Sequence, residues 1–229
     1  MGEATLRERN QRERKIRVLT AAMKLAAQGG YDAVQMRDVA ADSGVALGTI
    51  YRYFGSKDEL LLAGFAGWVR FTRGQLKAHG SVGSTAAQRV ANALAAAMKK
   101  SDETPLLMEA LIKAMANNEP DNLHYKIAIN DAFGGIIADA VGDEAVDVDV
   151  RGVERVLSHV WFSASARWVS GLTPAGSVAD ELRHAVSMLL PEHELAPDVL
   201  IDLAAPADQD SGWVSSSMHA EAGTAGLNK

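Results

Sequence analysis

The first 104 residues of this 229-residue chain contain no proline; the six prolines fall at 105, 120, 174, 191, 197 and 206. Proline lacks a backbone N–H and its ring collides with the preceding helical turn, so a long stretch without it permits long helices. Apolar residues there recur at intervals of three and four, and no segment sustains period-two alternation of β-branched residues. That pattern belongs to amphipathic helices rather than strands. Abundant alanine, the strongest helix former, points the same way. The expected fold is all-α.

Glycine and serine punctuate the pattern. The first helix is expected over about Arg7–Gln28, burying Ile16, Leu19, Ala22, Met23, Ala26 and Ala27, and stopping at Gly29-Gly30, since glycine accepts the left-handed cap conformation. Two short helices follow, about Met36–Ser43 and Ala46–Phe54, with Gly44 at the turn between them. Ser56 and Glu59 form a capping box that opens a long helix, Lys57 to about His79. Further helices are expected at about Ala86–Lys100, Pro105–Ala116, Asn122–Ala140, Asp149–Gly171 and Val178–Leu190. Thr104 caps one of them, with Pro105 at its first position, and Ser177 caps the last. The chain divides into residues 1–56, residues 57–196, and an acidic low-complexity tail, 197–229, that is expected to be disordered or loosely docked and carries an unexplained Trp213.

Composition removes several classes of protein. There is no cysteine, hence no disulfide framework, thiolate zinc site or thiol nucleophile. No apolar run approaches the roughly 20 residues of a membrane span. The charged start MGEATLRERNQRERK has no apolar core, so no signal peptide is expected and the cytoplasm is the expected location. The net charge is −6, distributed unevenly: residues 1–60 hold 10 Lys+Arg against 8 Asp+Glu, whereas residues 191–229 hold 1 against 7. An anionic partner would therefore meet the N-terminal quarter, although so small an excess is also an ordinary surface.

Met36–Phe54 has the arithmetic of a helix-turn-helix, whose second helix enters the major groove. Small Ala40 admits the second helix, Gly44 supplies the turn, and Val45 and Ile50 fill the space between the helices. On the second helix Thr49, Tyr51, Arg52 and Tyr53 carry donors, while Ala46 and Gly48 leave room for close backbone approach. Phe54, and in part Tyr51, are expected as an aromatic plug, with Tyr53 on the DNA backbone. Arg37 and Lys57 stand at helix starts, where cationic side chains and free amides favour phosphate.

The whole stretch from Gly29 to Leu61, about a seventh of the chain, resembles the N-terminal signature of the TetR family of transcriptional repressors, above all in G-T-x-Y-x-Y-F-x-S-K-x-x-L. The resemblance implies a three-helix DNA-binding domain joined to a larger helical ligand-binding and dimerisation domain. It implies a reading helix over Ala46–Phe54, Leu47 included, with base or phosphate contacts at Thr49, Tyr51, Tyr53 and Lys57, and a homodimer on double-stranded operator DNA. Within the family, V-Q-M-R, the Y-R-Y-F run and Val160-Trp161-Phe162-Ser163 with Trp168 resemble the KstR type. Such repressors control cholesterol catabolism and respond to sterol-derived acyl-CoA thioesters.

Two further surfaces are expected in the C-terminal part. Val153, Val156, Leu157, Val160, Ala164 and Trp168 share one helical face, and Ala185, Met188 and Leu189 share the next. Either is an ordinary buried stripe, or, as the resemblance implies, the dimer seam of a palindrome reader. A cavity for an apolar effector is expected among Phe65, Trp68 and Phe71 of the long helix and Met98, Met108, Leu111, Ile112, Met115, Phe133, Ile136, Ile137 and Trp161. Most of these would be plain core. Methionine adapts to bulky guests, and Gly134-Gly135, costly inside a helix by about 1 kcal/mol each, suggests close packing or cavity volume.

Enzyme readings are weaker. Glu181-x-x-His184 has di-metal spacing, but such bundles need a second copy and two more glutamates, and Asp121-x-x-His124 is a poor one. There is no phosphate loop and no nucleophile elbow. No metal, cofactor or membrane partner is expected. A helical-bundle metal enzyme and a repressor of a drug-like or other small apolar ligand are the alternatives, and the acidic charge disfavours a nucleoid-type architectural protein.

Overall fold

The computed structural model describes residues 2–142 and 148–190; the acidic tail, with Trp213, lies outside the described residues. Among the described residues there are nine α-helices and no strand: α1 (Gly2–Ala33), α2 (Met36–Ser43), α3 (Leu47–Tyr53), α4 (Lys57–His79), α5 (Ala86–Asp102), α6 (Pro105–Ala116), α7 (Leu123–Val141), α8 (Val150–Val169) and α9 (Ser177–Leu189).

Helix α1 begins at Gly2 rather than at Arg7, because nothing in the intervening sequence breaks it. The glycine pair does break it: Gly29 (φ −145°, ψ 17°) and Gly30 (φ 71°, ψ −163°) leave helical geometry before one last turn. Three capping expectations need correction. Ser56 Oγ accepts from the Glu59 N–H at 3.1 Å, but the Glu59 carboxylate reaches back past it to the Gly55 N–H, at 2.6 Å. Thr104 does hold the N-cap position of α6, with Pro105 next, but its hydroxyl makes no capping bond and donates back to the Lys100 carbonyl at 3.3 Å. Ser177 is the first residue of α9, the cap position belongs to Gly176 in the left-handed region (φ 85°), and the Ser177 hydroxyl donates to Thr173 Oγ1 instead.

The C-terminal half of α1 packs on α4 and α6, α4 packs on α6 and α7, and α8 lies against α6, α7 and α9. Helix α4 thus belongs to both parts of the molecule. Near its start, Gly64 faces Met23 of α1, whose sulfur would stand only 2.8 Å from an added Cβ. Further along, Arg73 crosses to α7 and grips Asp139 through Nε at 2.7 Å and Nη2 at 3.3 Å. That grip explains Gly135 of the glycine pair in α7. A side chain at Gly135 would overlap the Arg73 guanidinium, and Gly134 lies against Glu154.

Candidate DNA interface and effector cavity

The first three helices form a small unit around Val34, Val39, Val45, Ile50 and Phe54, all buried. Gly44 ends α2 in the left-handed region (φ 66°, ψ 23°), where a Cβ is strained. Arg17 of α1 donates to the Ser43 carbonyl at 3.2 Å, and Lys24 pairs with Asp42 at 2.7 Å. Both contacts hold the last turn of α2, just before Gly44, onto α1.

Helix α3 presents Ala46, Gly48, Tyr51 and Arg52 to solvent, with Leu47, Thr49 and Tyr53 half-buried beside them. Tyr51 is 52% exposed, so the expectation that it helps plug the core is corrected; Phe54, at 3%, fills that place. Three residues apart they would share a helical face, but Phe54 is the C-cap of α3, with extended backbone (φ −142°, ψ 116°), and turns away from the helix into the core. Tyr53 has Lys15 Nζ 5.8 Å and the Arg52 guanidinium carbon 5.6 Å from its ring centre, which adds Lys15 of α1 to this cationic edge. Arg37 is exposed at the start of α2. Lys57, expected on a phosphate, is already engaged within the chain. It is half-buried, its ammonium sits 3.7 Å over the Tyr31 ring, and it donates to the Tyr31 carbonyl at 3.3 Å. An ammonium has three donors, so this anchoring leaves capacity for a phosphate.

Tyr31 also belongs to a polar clasp where the small unit meets the body. Asp58, 4% exposed in the first turn of α4, accepts from the Tyr31 hydroxyl at 2.5 Å and from Asn117 Nδ2 at 2.7 Å. Asn117, just beyond α6, also donates to the Tyr31 oxygen at 3.1 Å, and its carbonyl accepts from Lys126 of α7. Burial, and then the hydrogen bond to Asp58, push the Tyr31 phenol well above its ordinary value.

An apolar cavity of about 20 Å³ lies among α4, α5, α7 and α8. Of the expected wall residues, Phe65, Trp68, Met98, Phe133, Ile136 and Trp161 line it. Met108, Leu111, Ile112 and Ile137 do not, being fully packed core, and neither does the half-buried Met115. Helix α6 spends its stripe against α1, α4 and α8, and Ile137 is rotated about 100° from Ile136. Ala97, Ile129 and Asn130 also line it, and on α4 the wall is completed by Val69 and Thr72. They lie at i+4 and i+7 from Phe65, a phase that excludes Phe71. A second cavity, about 150 Å³, lies between Arg73, Lys77, Ser81 and Asp139, and Ile136 lines both. Arg73, and to a lesser extent Lys77, hold the Asp139 carboxyl below its usual range.

The expected dimer stripe is corrected in part. Val153, Leu157, Ala164, Trp168 and Ala185 are at most 8% exposed within the single chain. Their spacing marks the face that α8 and α9 turn to their own neighbours. Val156 at 39% and Met188 at 64% exposure remain outward, with Val160 and Leu189 half-buried. Among the described residues no group of three or more His, Asp or Glu could hold a metal ion, and no helix is long and apolar enough to cross a membrane.

A helix-turn-helix with a polar, partly basic outer face, seated on a larger helical body, defines a DNA-binding transcription regulator. The comparisons with known proteins make the class specific. Residues 18–63 match the bacterial regulatory proteins of the tetR family, and residues 83–189 match the tetracyclin repressor-like C-terminal domain. The chain is 33% identical over 198 residues to the HTH-type transcriptional repressor KstR of Rhodococcus jostii, covering 86% of this chain and 92% of that protein. A TetR transcriptional regulator from Rhodococcus sp. RHA1 shares its fold with a TM-score of 0.71 at 28% identity, over 79% of this chain and 97% of that one. The Thermus thermophilus FadR repressor, solved in complex with lauroyl-CoA, aligns with a TM-score of 0.61 at 20% identity, over 81% of this chain and all of the other. The protein belongs to the TetR family; it is a DNA-binding transcriptional repressor that resembles KstR, not an enzyme.

Proposed function

We propose that the protein binds a palindromic operator as a homodimer, in the cytoplasm, and leaves it when a large apolar effector, a sterol-derived acyl-CoA thioester, enters the cavity. In this reading residues 1–56 contact DNA and residues 57–196 hold the effector and the dimer surface. The observation that carries it is the double duty of α4. Its first turn is built into the helix-turn-helix unit through Lys57 and Asp58, and its middle supplies Phe65, Trp68, Val69 and Thr72 to the cavity wall. Eight residues, roughly 12 Å of helix, separate the two. A guest much larger than 20 Å³ must part α4 from α7, and a tilt of α4 carries α3 with it. The neighbouring basic cavity supports an anionic head, since Arg73 and Lys77 bring two positive charges against the one of Asp139. Two relatives named above support the ligand class: KstR by sequence, and FadR, whose complex holds lauroyl-CoA.

Release requires the effector to bind the DNA-incompetent conformer more tightly; equal affinity for both shifts nothing. A tenfold loss of operator affinity needs only about 1.4 kcal/mol of such coupling. The small cavity volume favours one competing reading, a smaller planar apolar effector that fits with little rearrangement. Fluorescence anisotropy of a labelled operator separates them. Release by sterol-side-chain CoA thioesters at saturating concentration supports the thioester. Release by small planar compounds alone sinks it in favour of the competitor.

A further inference from the structure

Among the side chains that line the apolar cavity, Trp161 of α8 stands out. It is 4% exposed, stacks on Phe65 with ring centres 5.8 Å apart, and tilts against Phe133 at 5.7 Å. Its indole Nε1–H is buried and has no hydrogen-bond partner. One helical turn along the same face, the hydroxyl of Ser165, which is 1% exposed, is also buried without a partner. Native folds pair nearly all buried polar groups, and an orphaned one calls for an explanation. Here phenylalanine would supply the same ring stacking with no polar atom to bury. An indole N–H can only donate. Its complement is an acceptor oxygen carried on an otherwise apolar body.

We propose that Trp161 is a specificity residue for the effector: its Nε1–H donates to a carbonyl oxygen of the guest. This rests on the cavity being the effector site. Two carbonyls fit the chemistry, a ketone on a polycyclic body and the carbonyl of a thioester, and the experiment distinguishes them. Loss of such a bond leaves the donor unpaired again, so a ligand lacking the oxygen binds about tenfold more weakly, the equivalent of about 1.4 kcal/mol.

The test uses two matched pairs on the full-length protein: cholest-4-en-3-one against cholest-4-ene, and palmitoyl-CoA against its thioether analogue S-hexadecyl-CoA. The expected result is a preference of about tenfold for the carbonyl member of one pair, falling to near unity in Trp161→Phe. The pair that responds identifies the carbonyl. Because each ratio is taken within one protein, a general weakening of the variant cancels. In the unaltered protein, the Trp161 indole N–H resonance shifts downfield with the carbonyl ligand and not with its partner, a readout independent of how the variant folds. Binding of both members of each pair with equal affinity, or a preference unchanged by Trp161→Phe, overturns the hydrogen bond but leaves the cavity as effector site. Binding of none of the four overturns this inference, while operator release by sterol-side-chain CoA thioesters decides the cavity reading separately.

Discussion

Asp58→Ala tests whether the clasp between the helix-turn-helix unit and the body contributes to stability. Asp58 is almost fully buried and takes two hydrogen bonds, from the Tyr31 hydroxyl and Asn117 Nδ2. Hydrogen bonds to a charged acceptor contribute about 1.5–3 kcal/mol each, and the donors left behind, the half-buried Tyr31 and the exposed Asn117, stay within reach of water. Tyr31 and Asn117 remain 3.1 Å apart and can re-pair with each other, so the lower end applies to the pair. An acidic group in the first turn of α4 adds about 0.3–1 kcal/mol through the helix dipole. The expected loss is therefore about 3 kcal/mol, a fall in Tm of roughly 6–12 °C for a domain of this size. Asn117→Ala removes one donor and leaves Asp58 with Tyr31, so about 1.5 kcal/mol, the lower end for one such bond, is expected there. Thermal and urea unfolding measure both. A double-mutant cycle of Tyr31→Phe with Asn117→Ala measures the coupling, expected at 0.5 kcal/mol or more for groups in one network. An Asp58→Ala protein within about 0.5 kcal/mol of wild type, the range of ordinary surface changes, would refute the reasoning.

Three other outcomes are expected. Arg37→Ala weakens binding equally on operator and random duplexes and lowers the salt-dependence slope by about one, whereas Thr49→Ala changes base preference; salt titrations in which Arg37→Ala matches wild type on both duplexes rule out its phosphate contact. Met188→Asp or Val156→Glu yields soluble monomers by light scattering, and Leu157→Glu, fully buried, yields unfolded protein; an intact dimer in both surface variants moves the seam elsewhere. The Arg73–Asp139 grip stabilises the body above the ordinary carboxyl pKa of about 4 and is lost as pH falls through the lower folded value. The gap between the urea midpoints of wild type and Arg73→Met should therefore hold from pH 6 down to about pH 4 and narrow only as pH falls further, and a gap that stays constant below pH 4 contradicts that assignment.

The helix-turn-helix was legible in the sequence because its determinants are local. Gly44, the apolar plug at Val39, Val45 and Ile50, and the cap at Ser56 all act within a few residues of themselves. The cavity was half legible. Three-and-four spacing reports that a face is buried but not which neighbour buries it, so Met108 and Leu111 read like Met98 and Phe133. Helical phase from Phe65 would have recovered Val69 and Thr72. The same ambiguity assigned Leu157 and Trp168 to a dimer seam when their own chain covers them. The clasp was out of reach, since Asp58 and Asn117 are 59 positions apart and Tyr31 and Asn117 are 86 apart.

Because α4 carries both its anchorage to the helix-turn-helix and its share of the cavity wall on one rigid rod, the angular offset between them is set by counting residues. Substitutions at 65, 68, 69 and 72 alter what the wall accepts without disturbing that offset. A single residue inserted between Leu62 and Phe65 turns α4's share of the wall by about 100° relative to the recognition helix and lengthens the rod by about 1.5 Å. Seven inserted residues nearly restore the angle, to within about 20°, but displace the cavity by roughly 10 Å. Effector preference in such a protein can therefore drift by substitution while this stretch of α4 tolerates almost no change in length.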